Sequence, residues 1–570
     1  MAASRAVRVI TEVGAVDRPF DYALSDALAH CGVGDRVRVN FHNRSVRGWV
    51  LEDVAPRDEL KIVTKWLGYG PPASLLALLG WASERWYSPL SRFLISSSPK
   101  RLVTTLPTAP SALALTSSVQ ATALDVEPGM WQFAPTSDPI SLILGAYERT
   151  RERPGSLLVL VPTESWATRL RGRLEQRGLM VASGETEWDR MRVGWPVIVG
   201  ARGAALAPAP LLAGAVIIDA DDDAFRSEAT PTWDSLTMLR ERCRRDDAPL
   251  WATSMIPSPA MIGGGPLHVA SDIAAGWPHV VVVDRRNSDP RDGVLSRAAL
   301  DRAHRALTGD APIAVVVILQ RLGSGRLFAC RKCGELARCA QCGQPEEEMG
   351  ELLCCRDRHQ LRENFCASCG STNLRKVRVG VSSIAKDVSA QLSQPVSEIT
   401  AQSDTSTLLS RVVVGTEAVW QRVRHCEVVI FVDFDQYLLA PRASARRAAI
   451  TAVGKAGRLV GARRTGGGEV VIQTRRGDDS VVAALKNGDF RDVMDEDEQT
   501  AKLLGLAPYG AVAHVSGQGA ASFVAQLEGG SVSAYENEQG FELRAATLGD
   551  LTSSLRGVER PQGRVRVAID

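Results

Sequence analysis

Eight of the eleven cysteines in this 570-residue chain lie between Cys330 and Cys369, and their spacing is typical of metal ligands. A Cys-x2-Cys turn directs two thiolates at one point, and two such turns complete a tetrahedral zinc shell. With three such pairs and a Cys/His group, the arithmetic predicts two zinc ions per chain. The residues concerned are Cys330 with Cys333, Cys339 with Cys342, Cys366 with Cys369, and Cys354, Cys355 and His359 between the second and third pairs.

The interleaving of the pairs assigns four ligands to each zinc. In the second of the two sites, Cys354 can bind in place of Cys355, so the choice between these two cysteines stays open. Disulfides or reactive thiols are the alternative, but no secretory segment accompanies the pairs. A ribbon with so few large apolar residues needs the metal to fold, so we predict a structural insertion in a larger domain. One zinc would be held by Cys330, Cys333, Cys366 and Cys369, and the other by Cys339, Cys342, Cys355 and His359.

The composition is that of a soluble globular protein, with 45% hydrophobic and 23% charged residues, and the length suggests three to five domains. Only nine of the 67 basic residues are lysine. The excess of arginine suits phosphate contact and equally fits a GC-rich coding bias. The start has no apolar signal region and no apolar run is long enough to span a bilayer, so we expect a cytoplasmic protein. The other cysteines, Cys31, Cys243 and Cys426, are predicted to be buried singly.

Hydrophobic patterning predicts an α/β multidomain fold around the cysteine cluster. Residues 6–66 alternate as short strands, and a helical pattern follows Pro72. Residues 103–130 are rich in Thr, Ser, Ala and Pro, which indicates a linker. From 131 to 490, continuous Val/Ile/Leu runs alternate with helical stretches on both sides of the insertion, as in parallel sheets buried on both faces. Alternating strands after residue 491 indicate a small α+β domain.

The N-terminal motifs resemble the first domain of the PriA family of replication restart proteins (primosomal protein N-prime). In that family this domain binds DNA at a fork, and its pocket holds the 3′ end of the nascent leading strand. The match places Phe20, Asp21 and Lys61 on pocket positions, with His42 where the family has a glycine. The residues alone favour Phe20 and Tyr22 as strand core and Asp21 as a turn residue, and the family match reverses that preference. The matching segments are Arg18-Pro19-Phe20-Asp21-Tyr22, Gly34-Asp35-Arg36-Val37-Arg38-Val39, Gly48-Trp49-Val50 and Trp86-Tyr87.

The resemblance continues through two RecA-like helicase lobes and implies a domain scheme. Matching segments include Val161-Pro162-Thr163-Glu164 and Val216-Ile217-Ile218-Asp219. The winged-helix domain that the family usually carries has no room in this chain. The implied domains are 1–102, the 3′-DNA-binding domain; 103–130, a linker; 131–265, the first lobe; 266–325 with 373–490, the second lobe; 326–372, the zinc insertion; and 491–570, a C-terminal DNA-binding domain.

The residues that would hydrolyse ATP in this family are replaced here. A phosphate-binding loop needs glycines, a lysine and a Ser/Thr hydroxyl. In the matching stretch, 134–141, no glycine remains, Ile140 takes the lysine position and only Ser141 keeps a hydroxyl. Asp219 can still hold a metal ion, but Ala220 stands where the family has its water-activating glutamate. In the last motif Lys455 replaces one arginine and Arg458 keeps the other. We therefore predict no ATP hydrolysis.

These features favour a fork-binding scaffold of replication restart without helicase activity of its own. Its implied partners are forked DNA and nascent 3′ ends, the primosome proteins, the replicative helicase or its loader, and single-stranded DNA-binding protein. Its implied location is the cytoplasm, at the nucleoid. The first alternative is a working ATP-dependent 3′-to-5′ helicase of the primosome, against which the missing loop lysine argues. The second is an unrelated zinc-ribbon nucleic-acid-binding protein.

Overall fold

The computed structural model contains two compact units. The first comprises Met1–Phe133, Ser137–Ile273 and Met494–Asp570, and the second comprises Ala134–Thr136 and Ala274–Val493. Each unit is described by itself below. The structure describes residues 5–13, 18–271, 273–286, 293–320, 327–333, 335, 337–341, 346–349, 352–355, 359–377, 381–403, 409–440, 442–527, 530–537, 539–558 and 565–570.

An antiparallel sheet with the strand order β2-β1-β4-β3-β5 opens the first unit. Its inner face is apolar because Val7, Tyr22, Val37 and Val50 point to the same side of the sheet and pack together. The alternation predicted for residues 6–66 is therefore confirmed. The strands are β1 Arg5–Thr11, β2 Phe20–Leu24, β3 Arg36–Phe41, β4 Arg44–Val54 and β5 Lys65–Gly68.

Two helices, α1 Ala73–Arg85 and α2 Leu90–Ser97, follow the sheet, where the sequence pattern indicated one helical stretch. The break falls at Tyr87, which adopts a φ of 46°, and before Pro89. A proline disfavours helical backbone at the residue that precedes it, which explains the interruption. Trp86 and Phe93 are buried in the core.

The first parallel sheet has the order β12-β6-β11-β10-β7-β9-β8. Its central strands are buried on both faces, as the continuous apolar runs predicted. The strands are β6 Gly129–Gln132, β7 Ser156–Leu160, β8 Val181–Ser183, β9 Val197–Gly200, β10 Leu212–Ile217, β11 Leu250–Ser254 and β12 Leu267–Val269, and the helices are α3 Ser117–Gln120, α4 Pro139–Thr150, α5 Glu164–Glu175, α6 Trp188–Arg192, α7 Ser235–Asp246 and α8 Pro259–Ile262.

The second unit carries another parallel sheet, interrupted in sequence by the cysteine-rich segment. Its strands and helices before that segment are β13 His279–Asp284, α9 Arg297–Thr308 and β14 Val315–Ile318. The segment itself contains β15 Leu327–Cys330, β16 Glu346–Met349, β17 Leu352–Cys355, β18 Arg362–Glu363 and β19 Leu374–Val377. After it come α10 Val381–Leu392, β20 Val396–Ile399, β21 Val412–Gly415, α11 Val419–Arg422, β22 Val428–Phe431, α12 Asp435–Leu438, α13 Ala445–Val460, β23 Glu469–Thr474 and α14 Ser480–Asn487. The sheet order is β13-β23-β22-β14-β21-β20.

The C-terminal part of the first unit is a βαββαβ arrangement with an antiparallel sheet ordered β25-β26-β24-β27. This is the ferredoxin-like topology, and it gives the predicted small α+β domain a definite form. The elements are α15 Arg491–Leu503, β24 Ala511–Ser516, α16 Ala520–Val524, β25 Val532–Asn537, β26 Gly540–Ala545, α17 Leu548–Arg556 and β27 Arg566–Ile569.

The predicted fold class is confirmed by these elements. Cys31, Cys243 and Cys426 are buried, as expected of small apolar side chains. Within the described ranges, no helix has the length and apolar character that crossing a membrane requires.

Candidate metal centres and nucleic-acid interface

The first cysteine cluster brings together Cys330, Cys333, Cys366 and Cys369, whose sulfur atoms all lie within 4.8 Å of one another. The Sγ atoms of Cys330 and Cys369 are 3.5 Å apart, and so are those of Cys333 and Cys366. A tetrahedral shell with Zn–S bonds of about 2.3 Å has sulfur–sulfur edges of roughly 3.8 Å. The four thiols therefore fit a metal ion of that size.

The protonation of this cluster makes its metal affinity dependent on pH. The backbone N–H of Cys333 donates to Cys330 and lowers the pKa of that thiol to about 6. At Cys333, the N–H of Glu335 lowers the pKa, but the neighbouring thiols of Cys369, Cys366 and Cys330 outweigh it and the pKa rises to about 12. Metal binding to the four thiols therefore releases protons and is favoured as the pH rises.

The second cluster consists of Cys339, Cys355 and His359, with their ligand atoms again within 4.8 Å. The Sγ of Cys355 lies 3.5 Å from Nδ1 of His359. Cys342, the predicted fourth ligand, lies outside the described residues. Cys354 is next to Cys355 on β17, so its side chain leaves the strand on the opposite face.

The ribbon has few apolar contacts to hold these ligands in place. Among the described residues its core consists of Phe328, Ala337 and Leu353, with Leu374 packed against them. A buried ion pair adds to it, since Nε of Arg362 donates to both carboxylate oxygens of Glu346 at 3.0 and 2.9 Å. So small a core agrees with the expectation that bound metal supplies much of the folding energy.

The predicted DNA pocket residues lie around strand β2. Asp21 is in the strand, so the alternative that it is a turn residue is wrong. Its carboxylate accepts from Nε of Arg8 at 2.9 Å and pairs with Arg57. Lys61 is exposed beside the same strand, where its carbonyl accepts from the N–H of Ala23 at 2.9 Å.

Phe20 leaves β2 on the face opposite to Asp21, because successive side chains of a strand alternate. Its ring is half-buried against Phe41, with centroids 5.0 Å apart, and the guanidinium of Arg18 lies 5.1 Å from its centroid. Phe20 therefore packs against the sheet core, as the alternative held, and its ring stays partly exposed.

His42 occupies the first position of the turn between β3 and β4. It adopts a φ of 44° and Asn43 a φ of 58°, the backbone of a two-residue hairpin turn that glycine favours. This explains in backbone terms why a glycine suits the position. The His42 ring contacts Phe41 edge-on, with centroids 4.4 Å apart.

The segment that the sequence match aligns with the family's phosphate loop has a carboxylate, Asp138, at the start of α4. Asp138 caps the helix by accepting from the N–H of Ile140 at 3.1 Å, and its other oxygen accepts from Arg173 at 2.6 Å. Pro139 removes one further amide. The Ile140 side chain is 2% exposed and belongs to the apolar core beneath the first sheet. The helix N-terminus that would attract a phosphate is thus already occupied by a carboxylate.

The other positions that the sequence match assigns to ATP hydrolysis are Asp219, Ala220, Lys455 and Arg458. Asp219 is buried at a φ of 56°, and its N–H donates to Oγ1 of Thr253 at 3.3 Å. Ala220 beside it is buried and has no group that could activate water. In the second unit Arg458 donates from Nε to the carbonyl of Pro135 at 2.9 Å, and Lys455 is half-buried on α13.

Comparison with known proteins shows which proteins this chain is similar to. A family model described as the PriA 3′DNA-binding domain matches residues 8–99. The replication restart protein PriA of Treponema pallidum (strain Nichols) is 30% identical over 218 residues, which cover 36% of this chain and 32% of that protein. The probable replication restart protein PriA of Mycobacterium leprae (strain TN) is 28% identical over 456 residues, 68% of each chain. The chain is thus similar in sequence to proteins described as replication restart protein PriA.

Two further matches extend over most of this chain. The PriA of Thermotoga maritima is 23% identical over 416 residues, covering 66% of this chain and 55% of that protein. Among solved structures, the Mycobacterium smegmatis helicase Lhr bound to ssDNA and AMP-PNP covers 79% of this chain and 61% of its own at 12% identity and a TM-score of 0.37. The chain thus spans between about a third and two thirds of the lengths of these PriA proteins.

Several residues around the site were not predicted from the sequence. Arg8 and Arg57 hold Asp21, and Arg173 holds Asp138. The register of β1 against β2, which places Arg8 opposite Asp21, was the available signal for the first of these. Nothing in the local sequence pairs Arg57 or Arg173 with its carboxylate, because both partners are distant along the chain.

We expect the second metal centre to depend on Cys355 and His359. Cys355→Ser or His359→Ala should lower the zinc content by one ion per chain, because each removes a ligand from a closed shell. Cys354→Ser is the matched control and should leave the content unchanged, since its side chain lies on the other face of β17. Elemental analysis of the purified variants measures this. Loss of zinc in Cys354→Ser but not in Cys355→Ser would reverse the assignment.

Restoring the loop lysine alone should not restore nucleotide binding. Ile140→Lys places an ammonium group in an apolar core while Asp138 and Pro139 still fill the helix N-terminus, so we expect loss of about 2 kcal/mol or more of stability. Calorimetry and titration with a fluorescent ATP analogue test both effects, with Ile140→Leu as the control. Micromolar nucleotide binding by Ile140→Lys would show that the loop is still competent.

Proposed function

We propose that this protein binds abandoned replication forks and serves as a scaffold for reloading the replicative helicase, without unwinding DNA itself. The match of residues 8–99 to the PriA 3′DNA-binding domain carries this proposal. Asp21 and Lys61 lie within that range beside strand β2, and Phe20 lies within it on the opposite face of the same strand; the match of this segment supports a role for them at a DNA 3′ end. An aromatic ring can stack on a base, a carboxylate can accept from a 3′-hydroxyl, and a lysine can hold a phosphate.

In this proposal the two parallel sheets support the DNA-binding parts of the chain and do not drive unwinding with ATP. Asp138 fills the anion position of the loop and Ala220 lacks a carboxylate, which argues against the alternative of an ATP-dependent helicase. The domain limits follow the scheme implied by the family resemblance, with residues 491–570 as a second DNA-binding domain. The unrelated zinc-ribbon alternative is disfavoured by the extent of the PriA match outside the ribbon.

Two zinc ions complete the proposal. Cys330, Cys333, Cys366 and Cys369 would hold one, while Cys339, Cys355 and His359 would hold the other together with Cys342. Both clusters have the spacing of structural sites, so the metal would stabilise the ribbon and supply no chemistry. The proposed partners are nascent 3′ ends, single-stranded DNA-binding protein and the helicase or its loader, in the cytoplasm at the nucleoid.

We expect the protein to distinguish a fork with a free 3′-hydroxyl from one with a 3′-phosphate. Asp21→Ala should weaken binding to the 3′-hydroxyl fork by about 1–2 kcal/mol, the scale of a hydrogen bond to a charged group. It should not weaken binding to the 3′-phosphate fork, because the release of Arg8 and Arg57 favours a phosphate there. Fluorescence anisotropy with both forks measures the difference.

The matched control is Asp58→Ala, which removes an exposed carboxylate from the neighbouring loop. It should leave the preference for the 3′-hydroxyl intact. Equal affinity of the unmodified protein for the two forks would show that no such pocket operates.

A further inference from the structure

A row of three cations crosses the face of the N-terminal sheet opposite to its apolar core, and Asp21 lies on the same face, two strands away from the nearest cation of the row. In the register of the strands, Arg38 on β3 lies directly opposite Arg47 on β4 and directly opposite Lys65 on β5. All three side chains are exposed, while Val37, Val39 and Val46, which alternate with them, pack on the inner face. The row therefore projects three positive charges from three adjacent strands into solvent.

This arrangement works against the stability of the sheet. Like charges directly opposite one another on neighbouring strands repel, since their Cβ atoms are only about 5 Å apart. Arg47 has one counter-charge, Glu12, which accepts from its Nε at 2.9 Å. Across the described part of the chain no ion pair involves Arg38 or Lys65. Opposed like charges that destabilise the sheet and lack an internal counter-charge are expected at a site that binds a negatively charged ligand.

The rest of the same face shows that the row is left open rather than covered. Where the face continues toward α2, Nε1 of Trp49 donates to Oγ of Ser98 at 2.8 Å, and Nη1 of Arg36 donates to the carbonyl of Pro99 at 2.8 Å. Burial, and then the charge of Arg47, lower the pKa of Arg36. The chain that follows α2 thus covers this part of the face, while Arg38, Arg47 and Lys65 stay exposed.

We propose that Arg38, Arg47 and Lys65 form a phosphate-binding row that contacts the DNA backbone of the fork, as a second contact beside the 3′-end pocket. This inference rests on the proposed function, because the row belongs to the domain matched to 3′-DNA binding. Adjacent strands are about 4.8 Å apart, so the row spans roughly 10 Å across the sheet. Its contacts are electrostatic and independent of base sequence and of the chemistry at the 3′ end.

The test is the salt dependence of fork binding by the full chain. The double variant Arg38→Gln/Lys65→Gln removes the two cations that lack an internal partner. The slope of log affinity against log salt should become less steep by about 1.4 to 1.8, the value for two phosphate contacts on single-stranded or duplex DNA. The change should be equal for forks with a 3′-hydroxyl and with a 3′-phosphate. The melting temperature of the variant should be unchanged or higher, because repulsion in the row is relieved.

Arg92→Gln is the matched control, since it removes an exposed arginine of the same domain from helix α2. It should leave the slope unchanged. If the unmodified protein binds forks but the double variant keeps its slope, the row is not a DNA contact, while the proposed function stands. An equal change of slope in Arg92→Gln would overturn the row as well. If the double variant lost affinity for a poly-glutamate peptide but not for forks, the row would be a site for an acidic protein partner and the proposed DNA contact would be wrong. Failure of the unmodified protein to bind forks would instead overturn the proposed function itself.

Discussion

The carboxylate of Asp138 at the start of α4 is the interaction on which the account of this protein depends. A helix N-terminus concentrates partial positive charge and free amides, and nucleotide-binding proteins use this to hold phosphate. Here Asp138 caps the helix from within, and Arg173 neutralises its second oxygen. A phosphate approaching the same point would find the amide of Ile140 already bonded to Asp138, and one amide fewer because Pro139 has none. The site is closed by this cap as well as by the loss of a lysine.

The surrounding fold persists because it does not depend on the nucleotide. The strands beside the loop are buried on both faces, and Ile140 contributes to that core where a lysine would have interrupted it. The chain therefore retains parallel sheets that can hold other parts in place. The N-terminal sheet is held to the first parallel-sheet region by Arg101, which pairs with Asp189 at 2.8 Å, and by Trp188, whose indole donates to the carbonyl of Ser97. These contacts position the proposed DNA-binding surface on the first unit.

The sequence predicted much of this architecture because its signals are local. Alternation identified the N-terminal strands, continuous apolar runs identified the buried parallel strands, and Cys-x2-Cys spacing identified the ligand groups. What escaped prediction depends on contacts between distant residues. The pairing of Asp21 with Arg57 and that of Asp138 with Arg173 each join two parts of the chain that share no local pattern. The break between α1 and α2 was missed although Pro89 marks it, because the apolar periodicity continues across it. The cation row was missed because it exists only once the strand register is known.

The most direct test of the account is a steady-state ATPase measurement on the purified chain, with and without forked DNA, in the same preparation that binds the fork. The account predicts that fork binding is retained while ATP turnover stays at background in both conditions. Fork-stimulated turnover of about 1 s⁻¹ or more, ordinary for a working enzyme, would contradict it.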